Sequence, residues 1–234
     1  MRNEDMDYLV SVLGNPTQRY PASEQTVEKY QAIFPKNIID IWQSEGFCQF
    51  MQGLYYFTNP DDWQAVVDAW LKGTDFEKMG RFYAITRTGF GVLQVYHPET
   101  GTGIEIDTIK NIISGSISNE TTEKGKEISI GVYLSSGRPK RSDFFIGESE
   151  ELIFKPALKK LGALGEYDMF AFNPAYSILE TMQMLPTLDN LIKVDAREHM
   201  LYLRSLIDMP TVWTFNTQAV LKEMGYIKIG RAHV

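Results

Sequence analysis

Two adjacent carboxylates, Asp61 and Asp62, are of the residue type that acid–base catalysis or metal binding would use. They follow Asn59 and Pro60 at the start of an amphipathic segment. Asn59 suits a helix N-cap, Pro60 suits the first helical position, and each carboxylate in a first turn stabilises a helix by about 0.3–1 kcal/mol. We therefore interpret the pair as a helix start and not as a reaction centre.

The histidines and the single cysteine do not form a metal-binding or nucleophilic pattern. His97 precedes a turn proline, and we expect it at the surface. His199 lies in a predicted helix without a second histidine four positions away, which favours a partly buried structural role over a zinc ligand. Cys48 lies between apolar residues and is predicted to be a buried thiol. We therefore predict no metal site and no cofactor.

Glycine pairs in two predicted hairpins, at Gly89 and Gly91 and at Gly101 and Gly103, do not continue as GxGxxG into a helix. The chain has no GxxxxGK[ST] loop and no GxSxG elbow, so nucleotide binding and hydrolase chemistry have little support. We predict no catalytic or cofactor-binding residue.

A basic loop carries Arg138, Lys140 and Arg141, which could hold a phosphate. The chain as a whole is acidic, with 30 Asp and Glu against 23 Lys and Arg and a net charge of -7. We therefore favour a solvated loop, and the acidic balance argues against nucleic-acid binding and suits a basic protein partner.

The chain of 234 residues is long enough for one large domain or two small ones. The one cysteine fits a reducing compartment, the charged N-terminus is unlike a signal peptide, and no apolar run approaches the length of a membrane span. We expect a soluble cytoplasmic protein without membrane contact.

The spacing of apolar residues predicts an α+β fold, in which an antiparallel β-meander sheet packs with amphipathic helices and a mostly helical C-terminal part follows. Residues 34–71 are predicted to form a helix, a strand at Leu54–Thr58 and a second helix. Residues 82–107 are predicted to form three antiparallel strands, the first of which pairs with Leu54–Thr58. Trp42, Trp63 and Trp70 are predicted in the core.

The second half of the chain has weaker signals. We predict a surface loop at 114–127, a short strand at Ile128–Leu134, and helices at Leu188–Ile207 and Thr217–Met224. Trp213 lies outside any apolar stripe, and docking onto the body of the protein is favoured over an exposed anchor.

These segments suggest a domain at 1–113, a variable loop or linker region at 114–147, and a C-terminal helical region at 148–228. Residues 229–234 resemble the translation of a sequencing adapter. We therefore expect the natural chain to diverge beyond Lys228, and His233 enters no site.

The stretch FPKNIIDIWQSEGFCQFMQGLYYFTNPDDWQAVVDAWL at 34–71 and the motif TRTGFG at 86–91 resemble the GAD-like domain family of bacteria. Residues 154–175 and 188–206 resemble the C-terminal domain of type VI secretion immunity proteins, although Ala171 stands where the pattern has glycine. Tyr176 likewise stands where the pattern has leucine. In all, the resemblance spans residues 20–207.

The resemblance implies an immunity protein of a toxin–antitoxin locus, which would bind and neutralise a cognate effector toxin without enzymatic activity. A basic nuclease would suit the acidic charge. Acidic loop residues are the expected contacts, but the sequence selects no toxin-binding residue among them and no oligomeric state.

An alternative is a small-ligand-binding protein or enzyme with a pocket between the sheet and the C-terminal helices. Glu198, His199 and Arg87 would then be the first residues to consider. An RNA-linked interaction module is a third possibility, against which the acidic balance argues.

Overall fold

The computed structural model describes residues 3–119, 122–134, 139–146 and 151–215. The predicted helix at Thr217–Met224 and the tail at 229–234 lie outside these residues. The helices are α1 (Glu4–Leu13), α2 (Glu24–Tyr30), α3 (Lys36–Glu45), α4 (Pro60–Leu71), α5 (Glu123–Leu134), α6 (Pro139–Ser142), α7 (Phe154–Leu161), α8 (Tyr176–Thr181) and α9 (Ala196–Ser205), with short 3-10 helices at Glu77–Met79 and Leu188–Asn190.

The strands fall into one large sheet and two small ones. They are β1 (Gln49–Phe50), β2 (Tyr55–Phe57), β3 (Tyr83–Thr88), β4 (Val92–His97), β5 (Thr102–Asp107), β6 (Ile112–Ser116), β7 (Phe145–Ile146), β8 (Glu151–Leu152), β9 (Asp168–Phe172), β10 (Leu191–Asp195) and β11 (Thr211–Phe215). The seven-stranded sheet has the order β1-β2-β3-β4-β5-β6-β11, and β9–β10 and β7–β8 form antiparallel pairs.

The α+β class is confirmed, and the large sheet is mostly antiparallel. Strand β2 pairs with β3 as predicted, through Tyr55 opposite Thr88 and Phe57 opposite Thr86. Strands β3 to β6 follow one another as antiparallel neighbours. Strand β11 then returns from the C-terminal part and joins β6 in parallel, so that part contains strands as well as helices.

The central helix–strand–helix unit forms as its sequence predicts. Gly46 ends α3 with φ +69°, where its N–H donates to the Trp42 carbonyl oxygen. The Asn59 side chain accepts from the Asp61 N–H (3.3 Å), and Pro60 is the first residue of α4. These capping contacts satisfy backbone groups that a helix end leaves without partners.

Each face of the large sheet carries its own apolar core. Helices α1, α2 and α3 pack on one face, where Trp42 is buried among aromatic side chains. Helices α4, α7 and α9 and strand β9 pack on the other, where Trp63 and Trp70 are buried. All three tryptophans are 2% exposed or less, which confirms their predicted place in the core.

The predicted helix at Leu188–Ile207 is wrong in its first half. Residues 188–190 form a 3-10 turn, 191–195 form β10, and the α-helix begins only at Ala196. Strand β10 forms because β9 offers a complete antiparallel partner, with Leu191 opposite Phe172. Asp195 then starts α9, because its carboxylate accepts from the N–H groups of Arg197 and Glu198.

The predicted loop at 114–127 is wrong at both ends, and the predicted strand at Ile128–Leu134 is wrong throughout. Residues up to Ser116 belong to β6, and residues 123–134 form α5. Apolar side chains at every second position of 128–134 look like a strand pattern. In the helix, Ile130 and Leu134 instead lie four residues apart on the buried side.

Gly53 lies at a close approach between the sheet and the C-terminal part, and its φ of +105° favours glycine. A Cβ added there would meet the Tyr56 hydroxyl and lie 2.5 Å from Leu164 Cβ. Gly14 has a similar φ of +80° but open space around it.

We predict that Gly53→Ala lowers the free energy of unfolding by about 3 kcal/mol or more, because strain and overpacking add, whereas Gly14→Ala lowers it by about 1–2 kcal/mol. Urea denaturation of both variants checks the prediction. Equal losses would show that backbone strain alone, and not the close packing, accounts for the requirement for glycine at Gly53.

Candidate functional site

Arg87, one of the residues singled out by the sequence, lies near the end of β3 and is 1% exposed. Its guanidinium carbon lies 3.6 Å from the centre of the Tyr56 ring and 5.0 Å from that of the Trp63 ring. Both rings belong to the GAD-resembling stretch, on β2 and on α4. Stacking of this kind stabilises a guanidinium that is withdrawn from water.

Two backbone oxygens, at the start of β9 and just before it, accept hydrogen bonds from Arg87. Nη1 donates to the Asp168 carbonyl (3.0 Å), and Nη2 donates to the Glu166 carbonyl (2.6 Å). Within the described residues no carboxylate lies within 4 Å of the guanidinium, and its Nε has no hydrogen-bond partner. Burial lowers the pKa of Arg87, although arginine remains protonated in proteins. The side chain therefore ties the sheet to the C-terminal part.

A narrow cleft leads to Arg87 between Asp62, Glu166 and Tyr167. Its volume is ≈ 10 Å³, which leaves room for about one water molecule. The Tyr167 hydroxyl donates to Asp62 (3.1 Å) across the entrance. Burial raises the pKa of Glu166, and the nearby Asp62 carboxylate adds to the rise. The cleft is too small for a substrate, so these groups have a structural role.

Glu198 and His199 lie on α9, and no hydrogen bond or ion pair in the described part of the chain connects either of them with Arg87. Glu198 is exposed, and its N–H contributes to the cap by Asp195. His199 is half-buried, its buried Nε2 lacks a partner among the described residues, and burial lowers its pKa. The structure therefore does not bring the three candidate residues together.

The other residues considered from sequence have structural contacts. His97 is 2% exposed, which corrects the predicted surface position, because its Nδ1 lies 2.9 Å from Thr100 Oγ1 and its ring packs 5.0 Å from that of Phe82. Cys48 is fully buried, as predicted. Asp61 accepts from Lys29 and Tyr30, so it also connects α2 with α4.

Over residues 3–119, 122–134, 139–146 and 151–215, no three His, Cys, Asp or Glu side chains are arranged to hold a metal ion. Within the same residues, every helix is too short or too polar to cross a membrane. Arg138, His233 and the side chains of Lys140 and Arg141 lie outside what the structure describes.

A polar cleft of ≈ 230 Å³ lies on the sheet face opposite Arg87. Here the strand register places five side chains in one row across five strands. They are Thr86, Gln94, Glu105, Ser114 and Trp213. We call this site the sheet cleft.

Hydrogen bonds orient the floor of the sheet cleft. Gln94 Oε1 accepts from Thr86 Oγ1 (2.5 Å) and from the Tyr55 hydroxyl (3.1 Å), and its Nε2 donates to Glu105 (3.1 Å). Asp107 lies beside the row, and burial raises its pKa. Trp213 is 60% exposed, so the predicted docking onto the body is wrong; it projects from β11.

The sheet cleft could not be recognised from the sequence, because its lining residues lie far apart in the chain, from Tyr55 to Trp213. The one local signal is the alternation of polar Gln94, Glu105 and Asp107 with buried apolar residues along β4 and β5. That alternation predicts which face each side chain occupies, but the register between strands is needed to bring them together.

An open groove of ≈ 510 Å³ lies between the N-terminal ends of α1 and α3 and the side of α5. We call it the helical groove, and its lining residues are Asn3, Glu4, Asp5, Lys36, Asn37, Asp40, Glu127, Ile128, Gly131 and Val132. Four carboxylates face one ammonium group in this lining, so the groove is acidic. Ile128 and Val132 are 59% and 65% exposed, so it is also partly apolar.

We predict that Arg87→Met lowers the free energy of unfolding by about 3 kcal/mol, because buried carbonyl groups lose their donor. Arg87→Lys should not retain the wild-type free energy of unfolding, since one ammonium group cannot bind the Asp168 and Glu166 carbonyl groups as the planar guanidinium does. Arg197 is the matched control: it also lies over an aromatic ring, 3.8 Å from the centre of Tyr167, but is more exposed.

Urea denaturation measures these effects, and Arg197→Met should cost about 1 kcal/mol or less. A loss for Arg87→Met no greater than that for Arg197→Met would contradict the structural role assigned to the buried guanidinium.

Comparisons with known proteins bear on the fold and on the N-terminal part. A family model described as "GAD-like domain" matches residues 4–110. The crystal structure of Atu4351 from Agrobacterium tumefaciens is similar, with a TM-score of 0.77 and 19% identity over 91% of this chain and 94% of that chain. At that identity the likeness concerns the fold alone. No curated protein matches this chain. The part of the chain from α1 through β5 is therefore similar to the GAD-like domain family.

Proposed function

We propose that the protein is a bacterial immunity-type protein, which binds and neutralises a cognate toxin of a type VI or related contact-dependent system. It acts in the cytoplasm of the producing cell and by occlusion, without catalysis. The C-terminal region at 148–228 completes the immunity-type protein in this proposal, next to the GAD-like domain.

The observation that carries the proposal is the helical groove. It combines four carboxylates, on Glu4, Asp5, Asp40 and Glu127, with exposed apolar side chains on α5. Exposed apolar surface with a charged rim is typical of protein–protein contact sites. A net charge of -7 would accelerate encounter with a basic toxin, because long-range attraction steers association.

The state of the buried charged residues also supports binding over catalysis. Arg87 is held by backbone carbonyl oxygens and two aromatic rings, and Asp62 is held by Tyr167. These contacts assign structural roles to the residues around the narrow cleft.

The proposal predicts that co-expression of this protein restores growth to cells that produce the toxin encoded beside its gene, and that the two proteins purify as a complex. Growth is measured with and without induction of this protein. The matched control is Gly53→Ala, which should rescue less in proportion to its loss of stability. Absence of rescue together with absence of a complex would refute the proposal.

A second candidate function is the binding of a small polar molecule in the sheet cleft. The row that ends at Trp213 favours it, because an amide, a carboxylate, a hydroxyl and an exposed indole lie side by side. Such a set offers hydrogen bonds and one flat apolar surface, as in many ligand pockets. Asp107 and Lys110, 3.8 Å apart, add one charge of each sign.

This second candidate predicts that some member of a library of small polar metabolites raises the melting temperature of the protein. The shift should disappear in Trp213→Ala and in Asp107→Asn. It should persist in Tyr202→Ala, which removes another exposed aromatic ring. A library without any such ligand, or a shift that survives Trp213→Ala, would exclude ligand binding in the sheet cleft.

A further inference from the structure

Helix α5 has apolar residues at every second position near its end, at Ile128, Ile130, Val132 and Leu134. Successive residues of an α-helix are about 100° apart, so this spacing creates two apolar stripes on nearly opposite sides. Ile130 and Leu134 are 0% and 2% exposed, whereas Ile128 and Val132 are 59% and 65% exposed. One stripe therefore holds α5 to the protein, and the other faces outward.

The outward stripe borders the helical groove, and carboxylates surround it. Glu4 and Asp5 come from α1, Asp40 comes from α3, and Glu127 lies on α5 itself. The one cation in the lining, Lys36, pairs with Asp40 at 2.5 Å. A ligand that enters the groove therefore meets a strip of aliphatic side chains between negative charges.

Polar contacts fix the three helices that form the groove. The Asn37 amide donates to Asp5 Oδ2 (2.9 Å) and to the Glu127 carbonyl oxygen (3.1 Å), and thereby joins α3 to α1 and α5. Gly131 allows α5 to approach α1, since a Cβ there would lie 2.8 Å from Asp5 Oδ1. A groove held in this way is organised before a partner arrives, which reduces the entropic cost of binding.

We propose that the helical groove binds a basic amphipathic helix of the partner protein. This inference rests on the proposed function and names the element of the toxin that is recognised. Ile128 and Val132 are one helical turn apart, so their side chains form a ridge that packs between residues i, i+3 and i+4 of a second helix. Lysine and arginine residues beside that apolar stripe would face Glu4, Asp40 and Glu127.

The charge of the groove also argues against other occupants. Carboxylates repel the phosphates of nucleic acids and the anionic headgroups of membranes. An acidic or neutral amphipathic helix would place no positive charge opposite Glu4 and Glu127 at the rim. The groove is walled by helices and presents no strand edge among its lining residues, which disfavours strand addition.

The test uses a labelled synthetic peptide of about 18 residues, or five helical turns, with a leucine stripe flanked by lysines. A second peptide carries glutamate in place of every lysine. Fluorescence polarisation measures the binding of each peptide to the full-length protein. We expect the basic peptide to bind and the acidic peptide to bind at least about tenfold more weakly.

Two groove variants and two matched controls separate recognition by the groove from general attraction. Ile128→Ser/Val132→Ser removes the outward stripe, and its control, Met182→Ser/Leu185→Ser, removes another exposed apolar pair. Asp40→Asn/Glu127→Gln removes two groove carboxylates, and its control, Asp75→Asn/Asp189→Asn, removes two exposed carboxylates elsewhere. Each groove variant should weaken binding of the basic peptide about tenfold, and each control should change it less than about twofold.

Equal effects in groove variants and controls would overturn the inference, and so would equal binding of both peptides or no binding of the basic one. The same variants enter the growth assay. Rescue by the wild type but not by Ile128→Ser/Val132→Ser supports the groove as the toxin contact. Rescue by both the wild type and Ile128→Ser/Val132→Ser would refute the groove as the toxin contact and leave the proposed function intact. Absence of rescue by the wild type would refute the proposed function itself.

Discussion

The burial of one guanidinium constrains the arrangement of the whole chain. An ionised group taken out of water costs several kcal/mol unless its donors are satisfied. Arg87 meets this requirement with the carbonyl oxygens of Glu166 and Asp168 and with the faces of Tyr56 and Trp63. Because backbone oxygens accept these bonds, the start of β9 and the residues just before it must lie against the end of β3. The N-terminal part, which matches the GAD-like family, and the C-terminal part are therefore joined by a polar contact within an apolar core.

That junction determines which elements cover each face of the large sheet. With β9, α4, α7 and α9 on the Arg87 side, one face is closed by apolar packing. The opposite face is covered by α1–α3 near β1–β3 and by α5 at the start of β5, while polar side chains of β4, β5 and β6 line the sheet cleft beside Trp213. The return of β11 to β6 extends this polar row by one strand. A potential ligand site thus arises from strand order, on a face that the two apolar cores do not use.

The distribution of charge is the reason for our proposal that this protein recognises another protein. Charged groups in the interior, Arg87 above all, serve contacts between secondary-structure elements. Four carboxylates instead line the helical groove, where Ile128 and Val132, the outward apolar stripe of α5, are exposed. A soluble helix needs only one apolar stripe to pack on its own protein, so a second stripe rimmed by acidic groups is best explained by a partner. This is the physical basis on which the immunity-type proposal and the inferred basic helix depend.

Local signals in the sequence determined the elements whose ends and stripes are set by neighbouring residues. The Asn59–Pro60 start of α4, the Gly46 end of α3, the three core tryptophans and the strands from β2 to β5 could all be predicted, because capping and apolar periodicity act over a few residues. Only the tertiary structure decided that α5 is a helix, that β10 precedes α9, and that His97 is buried while Trp213 is exposed. Those outcomes depend on partners elsewhere in the chain. Strand β10 pairs with β9, His97 packs against Phe82, and Trp213 is held on β11 by the pairing of that strand with β6. The sheet cleft and the helical groove likewise required strand register and helix packing, which no local pattern encodes.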